Sequence, residues 1–290
     1  METAIISGKG GTGKSGIAAA FATMPGPQVM LVDCDVDAAN QFVLFNPSMD
    51  EEQAFSGARK AEVDPELCTN CGLCEYYCRF DAISSTPDFA VISEILCDGC
   101  QLCARICPHN AIMMIDHARS KLYSGSFRNG RMVYGRLAPG EENSGKLVNL
   151  VREKAKKEAQ KHALHHLIID GPPGIGCPVI STITGVDLLL VVTEPSLSGL
   201  SDLKRVLEVS QSFGTKTIVI INKFDLDTQL TADIEEFCNI AGISVIGKLP
   251  FDPQVVDAMV NCKSIVEWSP HSEISLELIR IWSDIQRKKL

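Results

Sequence analysis

The sequence predicts an α/β fold: a doubly wound, mostly parallel sheet with a small α+β domain inserted into it. Three observations lead there. Short apolar strands alternate with helix-length segments along most of the 290 residues. A glycine-rich loop, Gly8-Lys9-Gly10-Gly11-Thr12-Gly13-Lys14-Ser15, stands between the first strand and an Ala-rich helix. Eight of the 12 cysteines crowd between Cys68 and Cys107, where the strand–helix rhythm stops.

Taken in order, the opening residues read as a short buried strand entering the loop, with a helix at 16–23. A second apolar strand, 29–32, runs into Asp33-Cys34-Asp35. From about 56 to 130 the chain is rich in cysteine and turn residues and lacks a long helical period. The α/β pattern resumes with a charged helix at 145–163 and a strand ending at Asp170. Strands at 188–193, 217–221 and 244–246 then alternate with helices at 200–213 and 228–241. Residues 1–55 and 131–290 therefore read as one domain and 56–130 as its insert. The stretch 274–285 is amphipathic but carries acidic residues, which favours packing on the body over a membrane.

The bulk properties exclude several classes. A net charge of −9 with no Lys/Arg-rich run argues against a nucleic-acid partner. No apolar run reaches the ~18–20 residues that span a bilayer. Met1 leads into the first strand with no basic segment or cleavage site, so a cytoplasmic protein is expected. In that compartment structural disulfides are rare, and clustered cysteines point to metal or cluster ligation.

Gly8 to Ser15 satisfies G-x-x-x-x-G-K-[ST]. Its glycines let backbone N–H groups surround phosphate oxygens at a helix N-terminus. Lys14 is expected on the β- and γ-phosphates and Ser15 on Mg²⁺. Asp35 and Asp170 each follow a buried strand, where a carboxylate can reach the attacking water or the metal. Asn222-Lys223-Phe224-Asp225 matches the N-K-x-D element that reads guanine, so the base, adenine or guanine, stays open on this element alone.

The cysteines form two runs, Cys68-x-x-Cys71-x-x-Cys74-x-x-x-Cys78 and Cys97-x-x-Cys100-x-x-Cys103-x-x-x-Cys107-Pro108. This is the bacterial ferredoxin spacing, twice, in which the fourth cysteine of each run serves the other cluster. Cys68, Cys71, Cys74 and Cys107 are then expected to hold one [4Fe–4S] cluster, and Cys97, Cys100, Cys103 and Cys78 the other. Structural zinc, the alternative, usually shows C-x-x-C pairs with a longer spacer. Arg79 stands where the second run has Pro108. Cys34, Cys238 and Cys262 read as ordinary thiols. His162, His165 and His166 form a possible metal group at a helix end that also suits histidine.

Lys9 inside the glycine loop resembles the deviant Walker A lysine of the MinD/ParA and nitrogenase iron protein superfamily. With Asp35, Asp170 and the double cysteine run, the whole chain resembles MinD-superfamily P-loop ATPases containing a ferredoxin insert. That resemblance implies ATP/ADP as the nucleotide, with Lys9 reaching the phosphates of a second subunit in an ATP-dependent homodimer. Asp35 takes the role of switch I aspartate and Asp170 that of the Walker B acid holding Mg²⁺, with Asn222 near the nucleotide. Cys177 lies where the iron protein has its switch II cysteine, but the second cysteine that such a bridging cluster needs has no counterpart. The segments 140–146 and 193–199 also resemble the family and are expected near the dimer or nucleotide face. Three functions follow: ATP-gated electron transfer to a partner protein, cluster or metal-centre assembly for a client, and a MinD-like positioning switch.

Overall fold

The computed structural model describes residues 1–24, 26, 28–57, 59–116, 118–128 and 130–287. Its first part runs β1 (Glu2–Ser7), α1 (Lys14–Ala22), β2 (Met30–Asp33), α2 (Gln41–Phe45) and β3 (Glu51–Phe55). The cysteine-rich part follows as β4 (Arg59–Val63), α3 (Leu73–Tyr76), β5 (Ile83–Ser85), β6 (Ala90–Ile92), α4 (Leu102–Ile106) and β7 (Ile112–Asp116). Next come β8 (Ser120–Phe127), β9 (Gly130–Arg136), α5 (Ser144–Lys161), β10 (Leu167–Pro173), α6 (Cys177–Ile183), β11 (Leu188–Thr193) and α7 (Leu197–Gln211). The chain closes with β12 (Thr217–Asn222), α8 (Thr228–Ile240), β13 (Ser244–Leu249), α9 (Gln254–Val260), α10 (Ile265–Trp268) and α11 (Glu273–Gln286).

Nine strands form one sheet in the order β13-β12-β11-β1-β10-β2-β9-β8-β3. From β13 to β9 every pairing is parallel, and β8 and β3 add an antiparallel edge. The parallel strands are continuous apolar runs because both faces are covered. Their side chains still alternate between two cores. Ile5, Leu190, Ile218 and Ile220 face α1, α10 and α11, together with Phe21, Ile281 and Trp282. Ala4, Ile6, Leu189, Val191 and Val219 face α5 to α8, with Val151, Ile183, Leu203 and Ile234.

The amphipathic stretch near the C-terminus is α11, whose Ile274, Leu278, Ile281, Trp282 and Ile285 are buried. Trp282 stacks on Phe21 with ring centroids 5.0 Å apart and meets His166 edge-on. Among the described residues, no helix is long and apolar enough to cross a membrane.

The cysteine-rich part builds two small sheets of its own, β4 with β7 and β5 with β6, both antiparallel. Its halves repeat in hydrogen bonding as well as in sequence. Asp64 N–H donates to Ala111 O as Ser93 N–H donates to Ala82 O, and Cys68 N–H donates to Asp64 O as Cys97 N–H donates to Ser93 O. Ala61, Ala82, Cys97 and Ile112 form its own core.

One strand differs from the sequence reading. β8 lies within the stretch 56–130, yet it pairs with β9 and β3 in the large sheet. Its sequence, SKLYSGSF, is mostly polar, and only the fold shows that Leu122, Tyr123 and Phe127 are buried. Tyr123 stacks on Tyr134 at 4.8 Å, and Phe127 meets Phe45 at the same spacing. The part with separate sheets therefore runs from β4 to β7.

Because Ile281 is fully buried between α11 and the sheet, Ile281→Ala is expected to cost about 2–5 kcal/mol. Urea denaturation of the two chains measures the change.

Candidate functional site

The parallel strands β1, β2, β10, β11 and β12 all deliver their carboxyl ends to one edge of the sheet, where ligands of open α/β sheets collect. The glycine loop leaves β1 there and enters α1. Gly11 and Gly13 have φ of +80° and +92°, a region that side chains rarely adopt. Any Cβ at Gly13 would also lie 2.3 Å from the Asn222 amide nitrogen. Asn222, at the end of β12, donates to Thr12 O at 2.8 Å, and Lys223 donates to Gly11 O at 3.0 Å. The end of β12 thus fixes the loop from one side.

Three acids gather on the other side. Lys14 Nζ lies 3.0 Å from Asp35 Oδ2 and 3.7 Å from Asp170 Oδ1. Burial pulls the Lys14 ammonium down, but Asp170 and Asp35 outweigh it and hold the group above its ordinary range. Asp33 is fully buried, and burial with the nearby Asp170 charge pushes it up to about 8. Its carboxylate accepts backbone N–H bonds from Asp35, Asn40 and Gln41, which shapes the turn carrying Asp35. Gln41 in turn donates to Ser15 O at 2.9 Å and to Asp170 Oδ2 at 2.8 Å. Burial also raises Asp170, with Lys14 opposing.

Three buried oxygens here lack a hydrogen-bond partner, Asp170 Oδ1, Gln41 Oε1 and Thr12 Oγ1. Leaving such atoms unpaired is costly. A cation beside Asp170 and phosphate-bound water or donors at the loop would satisfy them, so the residues present fit Mg²⁺ and a nucleotide.

A cavity of ≈ 440 Å³ opens on this edge, lined by Gly10, Gly11, Gly13, Lys14, Ser15, Asp35, Asn40 and Asn222. Its far wall is apolar, from Pro250, Phe251, Val255 and Ile265. Asp225 is not part of the lining. Its Oδ1 accepts the Phe251 N–H at 2.7 Å and so anchors that wall. Gly8 is also set back, with Asp202 where its Cβ would be.

Lys9 points elsewhere. Its Nζ lies 2.7 Å from Glu194 Oε1 and donates to Ser196 Oγ and Ser198 Oγ, each at 2.9 Å. Glu194 also binds Lys223 at 3.0 Å. Burial alone would raise the Glu194 carboxyl, but hydrogen bonds from Lys9 and Lys223 hold it below its ordinary range. Residues 193–199 therefore lie beside the glycine loop. Glu194 lies in the segment 193–199 that the sequence resemblance places near this face, without a role of its own, whereas Gln41 does not stand out in the sequence.

The eight cysteines surround two small cavities. Cys68, Cys71, Cys74 and Cys107 line one; Cys78, Cys97, Cys100 and Cys103 line the other, with Cys74 at its edge. The first thus takes three cysteines from the first run and one from the second, and the second takes three from the second run and two, Cys74 and Cys78, from the first. Among the described residues, no three His, Cys, Asp or Glu side chains converge for a single metal ion. A ring of cysteines around a cavity fits a larger multinuclear group. The three histidines at the end of α5 do not gather: His162 faces Glu158 at 3.5 Å, and His166 packs on Trp282.

The second run abuts the large domain. Lys60 donates to Cys97 O and, at 2.7 Å, to Gly140 O. A Cβ on Gly140 would touch the Ile95 backbone at 2.9 Å, and the Asn143 amide donates to Gly57 O at 2.7 Å. Residues 140–146 therefore lie between the cysteine-rich part and α6, where Gly145 packs on Cys177. Cys177 is exposed, and so is Cys262.

Comparison with known proteins agrees with this geometry. The profile of the CobQ/CobB/MinD/ParA nucleotide binding domain matches residues 3–265. An uncharacterized protein of Methanocaldococcus jannaschii is 38% identical over 225 residues, 77% of this chain and 78% of the relative. The iron-sulfur cluster carrier protein of Aquifex aeolicus is 26% identical over 142 residues, 44% of this chain and 39% of its own. The cell division ATPase MinD of Pyrococcus furiosus shares the fold with a TM-score of 0.60 at 17% identity, covering 99% of this chain and 98% of its own.

Removing the Asn222 brace should loosen the glycine loop. Loss of one buried hydrogen bond is worth about 1–1.5 kcal/mol, so Asn222→Ala is expected to weaken nucleotide binding roughly tenfold. Titration calorimetry against ADP and ATP reads this directly.

Proposed function

Because the chain belongs to the CobQ/CobB/MinD/ParA nucleotide-binding family, we propose that it is a Mg²⁺-dependent ATPase whose ATP-driven homodimerisation gates electron transfer through two [4Fe–4S] clusters to a partner protein. The observation that carries this reading is the presence, in one chain, of a cavity at the glycine loop and two cysteine-lined cavities, the second run lying against Gly140.

In this reading Lys14 and the loop N–H groups bind the ATP phosphates. Asp170, through its unpartnered Oδ1, and Ser15 hold Mg²⁺, which neutralises phosphate charge when bound. ATP binding frees Asp35 from Lys14, and Asp35 orients the attacking water. Lys9 leaves Glu194 and reaches the second subunit's phosphates, closing the dimer. Adenine is favoured because Asp225, the residue that would read guanine, already accepts the Phe251 N–H. Cys68, Cys71, Cys74 and Cys107 hold one cluster and Cys97, Cys100, Cys103 and Cys78 the other; each supplies one-electron chemistry. α6 lies against the start of α5, and the residues leading into α5 contact Ile95 and Gly57, which gives the nucleotide state a route to the clusters.

A second reading draws on the similarity to a protein named as an iron-sulfur cluster carrier. There the clusters are cargo for a client. The full set of eight cysteines favours resident clusters instead.

Anaerobically purified chain is expected to carry about eight irons, and to keep them through repeated redox cycles and incubation with an apo-ferredoxin. Transfer of iron to the apo-protein would favour the carrier reading. Lys14→Ala should retain the iron while losing roughly 100-fold or more of ATP hydrolysis, and Asp35→Ala with ATP should accumulate as a dimer in ultracentrifugation. Tight GDP binding without ADP binding would overturn the adenine assignment.

A further inference from the structure

The two halves of the cysteine-rich part match in hydrogen bonding but not in charge. Lys60 stands as far before Cys68 as Phe89 stands before Cys97. Asp64 and Glu66 likewise correspond to Ser93 and Ile95, and Arg79 to Pro108. The fold brings two cations of the first half, Lys60 and Arg79, to the second run. Lys60 is 3% exposed and reaches across to the second run, donating to the carbonyl of Cys97. Arg79 lines the second cavity, while its counterpart Pro108 lines the first. The first cavity is approached instead by Asp64, whose backbone oxygen accepts the Cys68 N–H and whose carboxylate accepts the Glu66 N–H.

We propose that Lys60 sets the order of reduction, making the site of Cys78, Cys97, Cys100 and Cys103 the easier of the two to reduce. This rests on the reading of both cavities as cluster sites. Adding an electron adds negative charge, and a cation buried in a low-dielectric setting favours it strongly. Net charge and hydrogen bonding around the cysteines are the protein's means of setting such potentials. Asp98 and Glu142 act in the opposite sense at the same site. Glu142 is exposed and Asp98 only half-buried, so water and salt screen them more than they screen Lys60. The easier site is also the one that abuts the ATPase domain, through Lys60 to Gly140. An electron received at the outer site, that of Cys68, Cys71, Cys74 and Cys107, therefore moves inward toward the nucleotide-binding body.

The test is an anaerobic redox titration of the full chain with dithionite, followed by electron paramagnetic resonance. Cys71→Ser and Cys100→Ser each alter one site's signature and so assign the signals. In the wild type the first electron is expected at the Cys100 site. Lys60→Met, and Lys60→Gln, which keeps a donor without the charge, should lower the midpoint of that site alone, whereas Lys60→Arg should leave it in place. A first electron at the Cys71 site would overturn the proposal. So would uncharged variants that leave both midpoints unchanged or shift both equally. If those variants lose iron, the wild-type assignment decides by itself. A wild-type chain lacking two clusters would instead defeat the cluster reading on which the proposal stands.

Discussion

The structure turns on a crowd of charge at the carboxyl edge of the sheet. Lys14 lies buried with Asp35 and Asp170 in contact and Asp33 just behind them. One lysine cannot balance three buried carboxylates, so protons, a metal or a rearrangement must complete the site. That imbalance is what makes the edge responsive. In the proposed cycle phosphates compete for Lys14, a cation takes the Asp170 oxygen that lacks a hydrogen bond, and Asp35 is released. The turn that carries Asp35 is itself built on the Asp33 carboxylate, so the switch and the charge balance are one unit.

A second ionic hub holds Lys9, the lysine proposed to reach a second subunit. Glu194 binds both Lys9 and Lys223, and Lys223 also touches the glycine loop. Lys9 is thus ordered within its own protomer while its proposed target lies on another. These pairs are only partly buried, and ion pairs within reach of solvent are individually weak, which suits a contact proposed to exchange for phosphate.

Much of this was legible in the sequence because it is local. The glycine loop, Asp35, Asp170 and the eight cysteines follow from spacing within short segments, and the apolar strands β1, β10, β11 and β12 announce a covered parallel sheet. What was not legible is tertiary. β8 carries too few apolar residues to read as a sheet strand until Tyr134 and Phe45 are beside it. Lys60 is an ordinary strand lysine until the fold brings Cys97 and Gly140 to it. Asp225 matches a guanine-reading motif by spacing, yet the fold commits its carboxylate to Phe251.

Nucleotide-gated use of the clusters requires the nucleotide edge and the cysteine-rich part to respond together, through α6, the start of α5 and Gly140 to Ile95 and Cys97. Hydrogen–deuterium exchange on the iron-loaded chain, with and without Mg²⁺ and a non-hydrolysable ATP analogue, tests it most directly. Such coupling gives slower exchange at the glycine loop together with altered exchange at 140–147, 94–100 and 177–183. Protection that stops at the glycine loop and its switches, leaving 140–147 and 94–100 unchanged, would contradict it.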